Sequence, residues 1–259
     1  MANRYRLFAA SLLLVLGSAH AIAPESVVIN AVESNRATRT GSPHAQLMRF
    51  LMQPVDDPNR LRGYRIAILA ADGVDGFDLE VPRNFLVERG AVVHVLVPRA
   101  ADLQGAGSGA LVESEMQVPE MQITVLEPSG EERTASFDHF VDQIQTREYD
   151  LVYLPSNLTF SDHVAEQVSI SFLQQAAAEG KPIFAMGNAI LVLFKAGLIN
   201  TRTARAEQAT VSLVSLPAAA DEPAPPDGGV VHTGRDAFDM PVLMDELISA
   251  LRGRASQQQ

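Results

Sequence analysis

Two kinds of apolar run alternate along this chain. Short unbroken runs at residues 64–71 (YRIAILAA), 91–97, 150–155 and 182–186 have the length of strands buried on both faces. Between them, helices are predicted over residues 77–89, closed by Gly90, and 162–179, closed by Gly180, with others at about 189–196 and 237–252. A last short strand is expected at 230–233. Residues 122–127 and 132–136 flank Pro128-Ser129-Gly130, a turn signal that predicts a hairpin. The succession opens with a strand–helix–strand unit over residues 64–97. It predicts an α/β fold: a mostly parallel sheet with right-handed crossovers and helices on both faces.

The N-terminus has a different pattern. Arg4 and Arg6 precede an apolar core at residues 7–16, and Ala19-His20-Ala21 supplies a small-x-small cleavage pattern. Residues 1–21 are therefore expected to be a bacterial-type signal peptide cleaved after Ala21, which places the protein in the periplasm or outside the cell. A membrane anchor, the alternative, needs roughly 20 apolar residues. No membrane association is expected after cleavage. Residues 22–60 are expected to be a flexible extension, because 34–43 (SNRATRTGSP) is polar and rich in breakers. Within it, 44–52 (HAQLMRFLM) is amphipathic and suited to docking, on the domain itself or on a partner. The domain is expected over 61–254, with a disordered tail at 255–259. Two stretches inside the domain, 100–110 (Gly-rich) and 218–229 (Pro-rich), are expected to be loops.

Charge and composition narrow the chemistry. The 259 residues are 47% hydrophobic with a formal charge of −11, and the only lysines are Lys181 and Lys195. An acidic chain without a basic stripe is not built to bind nucleic acid. There is no cysteine, so the chain has neither a disulfide nor a thiol nucleophile.

That absence matters most at residues 181–198 (KPIFAMGNAILVLFKAGL). An apolar strand here runs through a Gly-Asn turn directly into a helix. Such an elbow exposes one side chain above a parallel sheet, beside N–H groups that can stabilise an oxyanion. The positions that would carry a nucleophile hold Gly187 and Asn188, and neither can attack a carbonyl.

Segments 65–99, 149–205 and 230–253 together resemble the ThiJ/PfpI family of the class I glutamine-amidotransferase-like superfamily. The resemblance implies a flavodoxin-like or amidotransferase-like three-layer sandwich, and a homodimer. In that family the elbow reads Ala-x-Cys-His-Gly. The resemblance puts Gly187 in the Cys position, Asn188 in the His position, and Asp78 where an acidic residue touches the thiol. The family's Leu-Pro-Gly-Gly turn becomes Leu154-Pro155-Ser156-Asn157. The ADGVDG stretch (71–76), and the run from Pro128 through Ser136-Phe137-Asp138 to Pro155, are similar to the C-terminal domain of large-subunit catalases. That domain usually lacks the elbow Cys.

These readings make Asp75, Asp78, Ser156, Asn157, Gly187, Asn188, His232 and Arg235 the candidate ligand-binding residues. The expected role is binding of a small ligand or a protein partner. Asn188 is placed to offer its amide to a ligand. Asp72, Asp75 and Asp78 can equally be a solvated loop and helix start. One alternative is a cysteine-independent hydrolase using Ser156 or a bound water, with His232 as base and Arg235 beside it. Another is a stress-related accessory or holdase protein. Asp138-His139, Asp162-His163, His44 and His94 lack a spacing that sets two ligands on one helix face. No metal and no cofactor is expected. N-terminal sequencing of the exported protein is expected to begin at Ile22; a membrane-bound form retaining residues 1–21 would instead identify an anchor.

Overall fold

In the computed structural model, which describes residues 29–31, 42–99, 121–158, 160, 162–199 and 231–257, the unbroken apolar runs form the centre of one sheet. The elements in chain order are β1 (Ile29–Ala31), α1 (Pro43–Met52), β2 (Arg65–Leu69), β3 (Val74–Asp75), α2 (Gly76–Val87) and β4 (Val92–Val97). Then come β5 (Gln122–Leu126), β6 (Glu132–Ser136), β7 (His139–Phe140), β8 (Leu151–Leu154) and α3 (His163–Ala178). Last are β9 (Ile183–Met186), α4 (Ile190–Lys195), β10 (Val231–Gly234) and α5 (Met240–Gln257). Seven strands form the main sheet in the order β1-β10-β9-β8-β2-β4-β7, with every neighbouring pair parallel.

Side chains alternate across this sheet, and both faces are dry. Ile66 and Ile68 point into one apolar cluster with Leu86 of α2 and Leu243, Met244 and Leu247 of α5. Ala67 and Leu69 point into a second, with Leu173 and Ala176 of α3 and Leu193 of α4. Two buried faces explain why the strands read as continuous apolar runs instead of alternating ones. The α/β class expected from sequence is the one observed, with a helical layer on each face. The predicted hairpin is β5–β6, antiparallel, and it carries β3 on its other side to make a small three-stranded sheet.

Several details differ from expectation. Val74–Asp75 lies within a stretch that reads as loop, yet it pairs with β5. His139–Phe140 extends the main sheet beyond β4. Two-residue strands are too short for any periodicity to reveal. Residues 255–257, expected to be part of a tail, continue α5. Parts of the 22–60 extension are also laid onto the domain. β1 runs along the edge of β10, and α1 docks on the chain's own α2 and α5. Ser42 caps α1 by accepting from Ala45 N, Leu47 enters the core, and Phe50 meets Phe85 at 5.0 Å. The Arg89 guanidinium lies 3.7 Å from the Phe85 ring centroid, and its Nη1 donates to Phe85 O. Leu47 and Phe50 of α1 thus find their partners within the same molecule. The expected signal peptide and the loops 100–110 and 218–229 lie outside the described residues.

Gly90 has a conformational role that its position after α2 suggested. Its φ is +89°, and a β-carbon there would lie 2.7 Å from Pro58 O, a backbone atom. Replacing it with alanine combines an unfavourable backbone region with a clash that no side-chain rotation relieves. Gly90→Ala is expected to lower unfolding free energy by about 2 kcal/mol or more, read as a lower urea midpoint at unchanged slope.

Candidate functional site

Because β2, β8, β9 and β10 are parallel, their carboxyl ends deliver the following residues to one edge of the sheet, where ligands bind in open α/β folds. Leu154 of β8 is in register with Ala185 of β9, and Met186 with Gly234 of β10. Ser156, Gly187 and Arg235 are therefore brought side by side. A β-carbon built on Gly187 would lie 2.9 Å from Ser156 Cβ and 3.7 Å from Arg235 O. Gly187 itself has φ +52°, a left-handed conformation that favours glycine. The elbow is present, but Ser156 fills the space beside it. The chain continues through a 3-10 turn (Gly187–Ala189) into α4, which is six residues long.

Ser156 is bound tightly to the start of α2. Its Oγ donates to Asp78 Oδ2 at 2.5 Å, and its carbonyl accepts from Asp75 N at 3.2 Å. Asp75 caps α2 by accepting from Asp78 N at 3.0 Å. The buried Tyr153 hydroxyl donates to the Asp78 carbonyl at 3.0 Å. Asp78 is 6% exposed. Burial pushes its carboxyl up to about 6; the Ser156 hydroxyl opposes the shift, and the nearby Asp75 and Asp236 charges add to it.

The two asparagines form a second latch. Asn157, at φ +58°, donates its backbone N–H to Asn188 Oδ1 at 2.7 Å, and Asn188 Nδ2 reaches Asn157 Oδ1 at 3.5 Å. Asn188 thus holds the 154–157 turn against the elbow. Asp72 is also structural, accepting from Thr124 N at 2.9 Å and so tethering the hairpin.

His232 is not a partner of Ser156. Its ring stacks on Phe184, with centroids 4.2 Å apart and planes within 2°, and its Nδ1 lies 3.0 Å from Glu246 Oε2. It faces α5 from within β10, two residues before the strand end that meets the elbow. The Ser156–His232 pair that the hydrolase alternative requires is therefore not formed, because strand alternation and burial commit the imidazole to another layer. Arg235 contributes its backbone carbonyl to the elbow, while its Nε and N–H both bond Asp239 Oδ2, at 3.2 and 3.0 Å. Sequence reasoning missed Tyr153, Glu246 and Asp239. Each lies far in sequence from the group it supports or belongs to a segment that reads simply as apolar strand or helix. Among the described residues, no group of three or more His, Cys, Asp or Glu is placed to hold a metal ion.

A sequence model of the DJ-1/PfpI family matches residues 64–250. The chain belongs to the DJ-1/PfpI family. The ThiJ/PfpI resemblance seen in the elbow and its flanking segments is thus a family relationship. The chain is also 32% identical over 176 residues to catalase HPII from Mycobacterium avium, a match covering 66% of this chain and 21% of the catalase. It therefore spans about a fifth of that relative's length. Among solved structures, a two-domain protein with DJ-1/ThiJ/PfpI-like and ferritin-like domains from Anabaena variabilis matches at 16% identity and a TM-score of 0.46. That match covers 72% of this chain and 49% of the other. A DJ-1 superfamily protein from Agrobacterium tumefaciens matches at 15% identity and a TM-score of 0.42, covering 76% and 100%.

The raised carboxyl of Asp78 sets a sign for pH dependence. Asp78 binds its proton more readily in the fold than in the unfolded chain, where the ordinary value is 3.8. Its stabilising contribution is complete below that value and is lost as pH rises through about 6. The unfolding free energy of the native chain minus that of Asp78→Asn is expected to fall by up to about 3 kcal/mol between pH 4 and 7. Paired urea titrations across this range read the difference directly; a flat or rising one would contradict the burial of Asp78.

Proposed function

We propose that this protein is an exported DJ-1/PfpI domain that acts by binding, without covalent catalysis. Its ligand is a small molecule or a protein partner held where β8, β9 and β10 end. The observation that speaks against covalent catalysis is the filled elbow, where the space of a side chain at residue 187 is occupied by Ser156, whose hydroxyl is committed to buried Asp78. The convergence of three strand ends at one edge of the sheet supports binding there. The N-terminal leader pattern supports export. Among the described residues, no helix is long and apolar enough to cross a membrane.

Two other readings have specific support. The 2.5 Å Ser156–Asp78 bond, with a carboxyl near 6, favours a serine hydrolase in which Asp78 is the base in place of His232. Kinship with a segment of a catalase favours an accessory or holdase role in stress defence.

One set of experiments separates the three. Binding predicts no turnover above background on a panel of esters, amides and peptides. It also predicts a ligand-dependent rise in melting temperature that Asp78→Asn reduces. Hydrolysis abolished by Ser156→Ala would replace this reading with the enzyme. Suppression of client aggregation that is indifferent to both substitutions would replace it with the holdase.

A further inference from the structure

On the opposite side of β2 from the elbow strands lies a cluster with no part in the site above. His139 opens β7 and is in register with Leu96 of β4. His94, two residues before Leu96, projects from the same face of the sheet, so the two imidazoles are diagonal neighbours on adjacent strands. Their ring centroids are 5.0 Å apart with planes at 79°. Both residues are half-buried, and among the described residues the His139 side chain makes a ring contact with His94 and no hydrogen bond.

His94 is oriented from behind. Its Nδ1 lies 2.9 Å from the hydroxyl of Tyr149, a residue 1% exposed. Tyr149 reaches across β2, where the residue in register with His94 is only Ala67. Metal-binding histidines characteristically donate one ring N–H to an outer partner and bind the ion through the other nitrogen. The Tyr149 oxygen is the acceptor for Nδ1–H in the tautomer of His94 that leaves Nε2 for the ion.

The spacing itself fits a shared ion. With metal–nitrogen bonds of about 2.0–2.1 Å, two imidazoles on one ion place their centroids roughly 4.6–5.3 Å apart, from cis square-planar to tetrahedral angles. We propose that His94 and His139 form a two-histidine chelate for a divalent transition metal of the Cu(II), Ni(II) and Zn(II) class, with Tyr149 as the positioning residue. Asp138 is not a ligand; its Oδ2 accepts from Val95 N at 2.7 Å and lies 3.8 Å from Arg83. Water completes the coordination sphere. Imidazole ligands and the general order of divalent affinities make Cu(II) the tightest of the three. Sequence spacing could not reveal this site, because its two ligands come from different strands 45 positions apart.

Titration of tag-free protein with Cu(II), followed by calorimetry and electron paramagnetic resonance, tests the assignment. The expected result is one ion per chain with hyperfine coupling from two imidazole nitrogens, and weaker binding of Ni(II) and Zn(II). His139→Asn, at the sheet edge, is expected to weaken Cu(II) binding about tenfold or more, since it removes the intramolecular second ligand. Tyr149→Phe is expected to weaken it about tenfold while the two-nitrogen spectrum is retained. His163→Asn, on an exposed face of α3, is expected to change nothing. Unchanged affinity in His139→Asn with native circular dichroism, or a single-nitrogen spectrum in the native protein, would overturn the proposal.

Discussion

A parallel sheet buried on both faces must satisfy its backbone in the plane and its side chains above and below it. Everything else in this protein follows from how the ends of that sheet are closed. The dry faces are made by Ile66 and Ile68 on one side and Ala67 and Leu69 on the other, each against its own helical layer. Parallel strands also send all their carboxyl ends to one edge. Turns that are unrelated in sequence are thereby forced into contact there. The Ser156, Gly187 and Arg235 turns meet for this reason, and their chemistry is decided by how closely they approach.

At that edge, space is the scarce quantity. With Ser156 Cβ 2.9 Å from where a Gly187 side chain would begin, the elbow cannot accept a larger residue unless the neighbouring turn retreats. That turn is held from two directions: Asp78 engages the Ser156 hydroxyl and Asn188 engages the Asn157 amide. Gly187 and Ser156 are thus two halves of one steric arrangement. The absence of cysteine in this chain is accompanied by hydrogen bonds that hold the 154–157 turn against the elbow. Asp78 lies beside that turn, with burial raising its carboxyl and the Ser156 hydroxyl as its partner.

The opposite half of the sheet shows the same economy in another form. His94, His139 and Tyr149 are polar groups in and beside a layer that is otherwise apolar, and they converge because β4 and β7 are paired in a particular register. α1 is anchored by packing of a different kind, with Phe50 tilted against Phe85 and the Arg89 guanidinium on the Phe85 ring.

The amino-acid sequence by itself determined the class of fold, since runs such as 65–69 and 183–186 are apolar in a way only doubly covered strands require. It also determined where the chain turns, through Gly90 and Gly180, and that no cysteine stands at the elbow, where the residue is Gly187. The strands β3 and β7 were not legible, because their two residues are stabilised by neighbours and not by their own pattern. Side-chain partners were the other part that only tertiary structure decided. His232 looked like a base for Ser156 from its place near a strand end. Strand alternation turned it toward Phe184 and Glu246, while Asp78 took the serine. Local periodicity constrains which residues are buried, but register between strands and the direction of each side chain decide which buried groups meet.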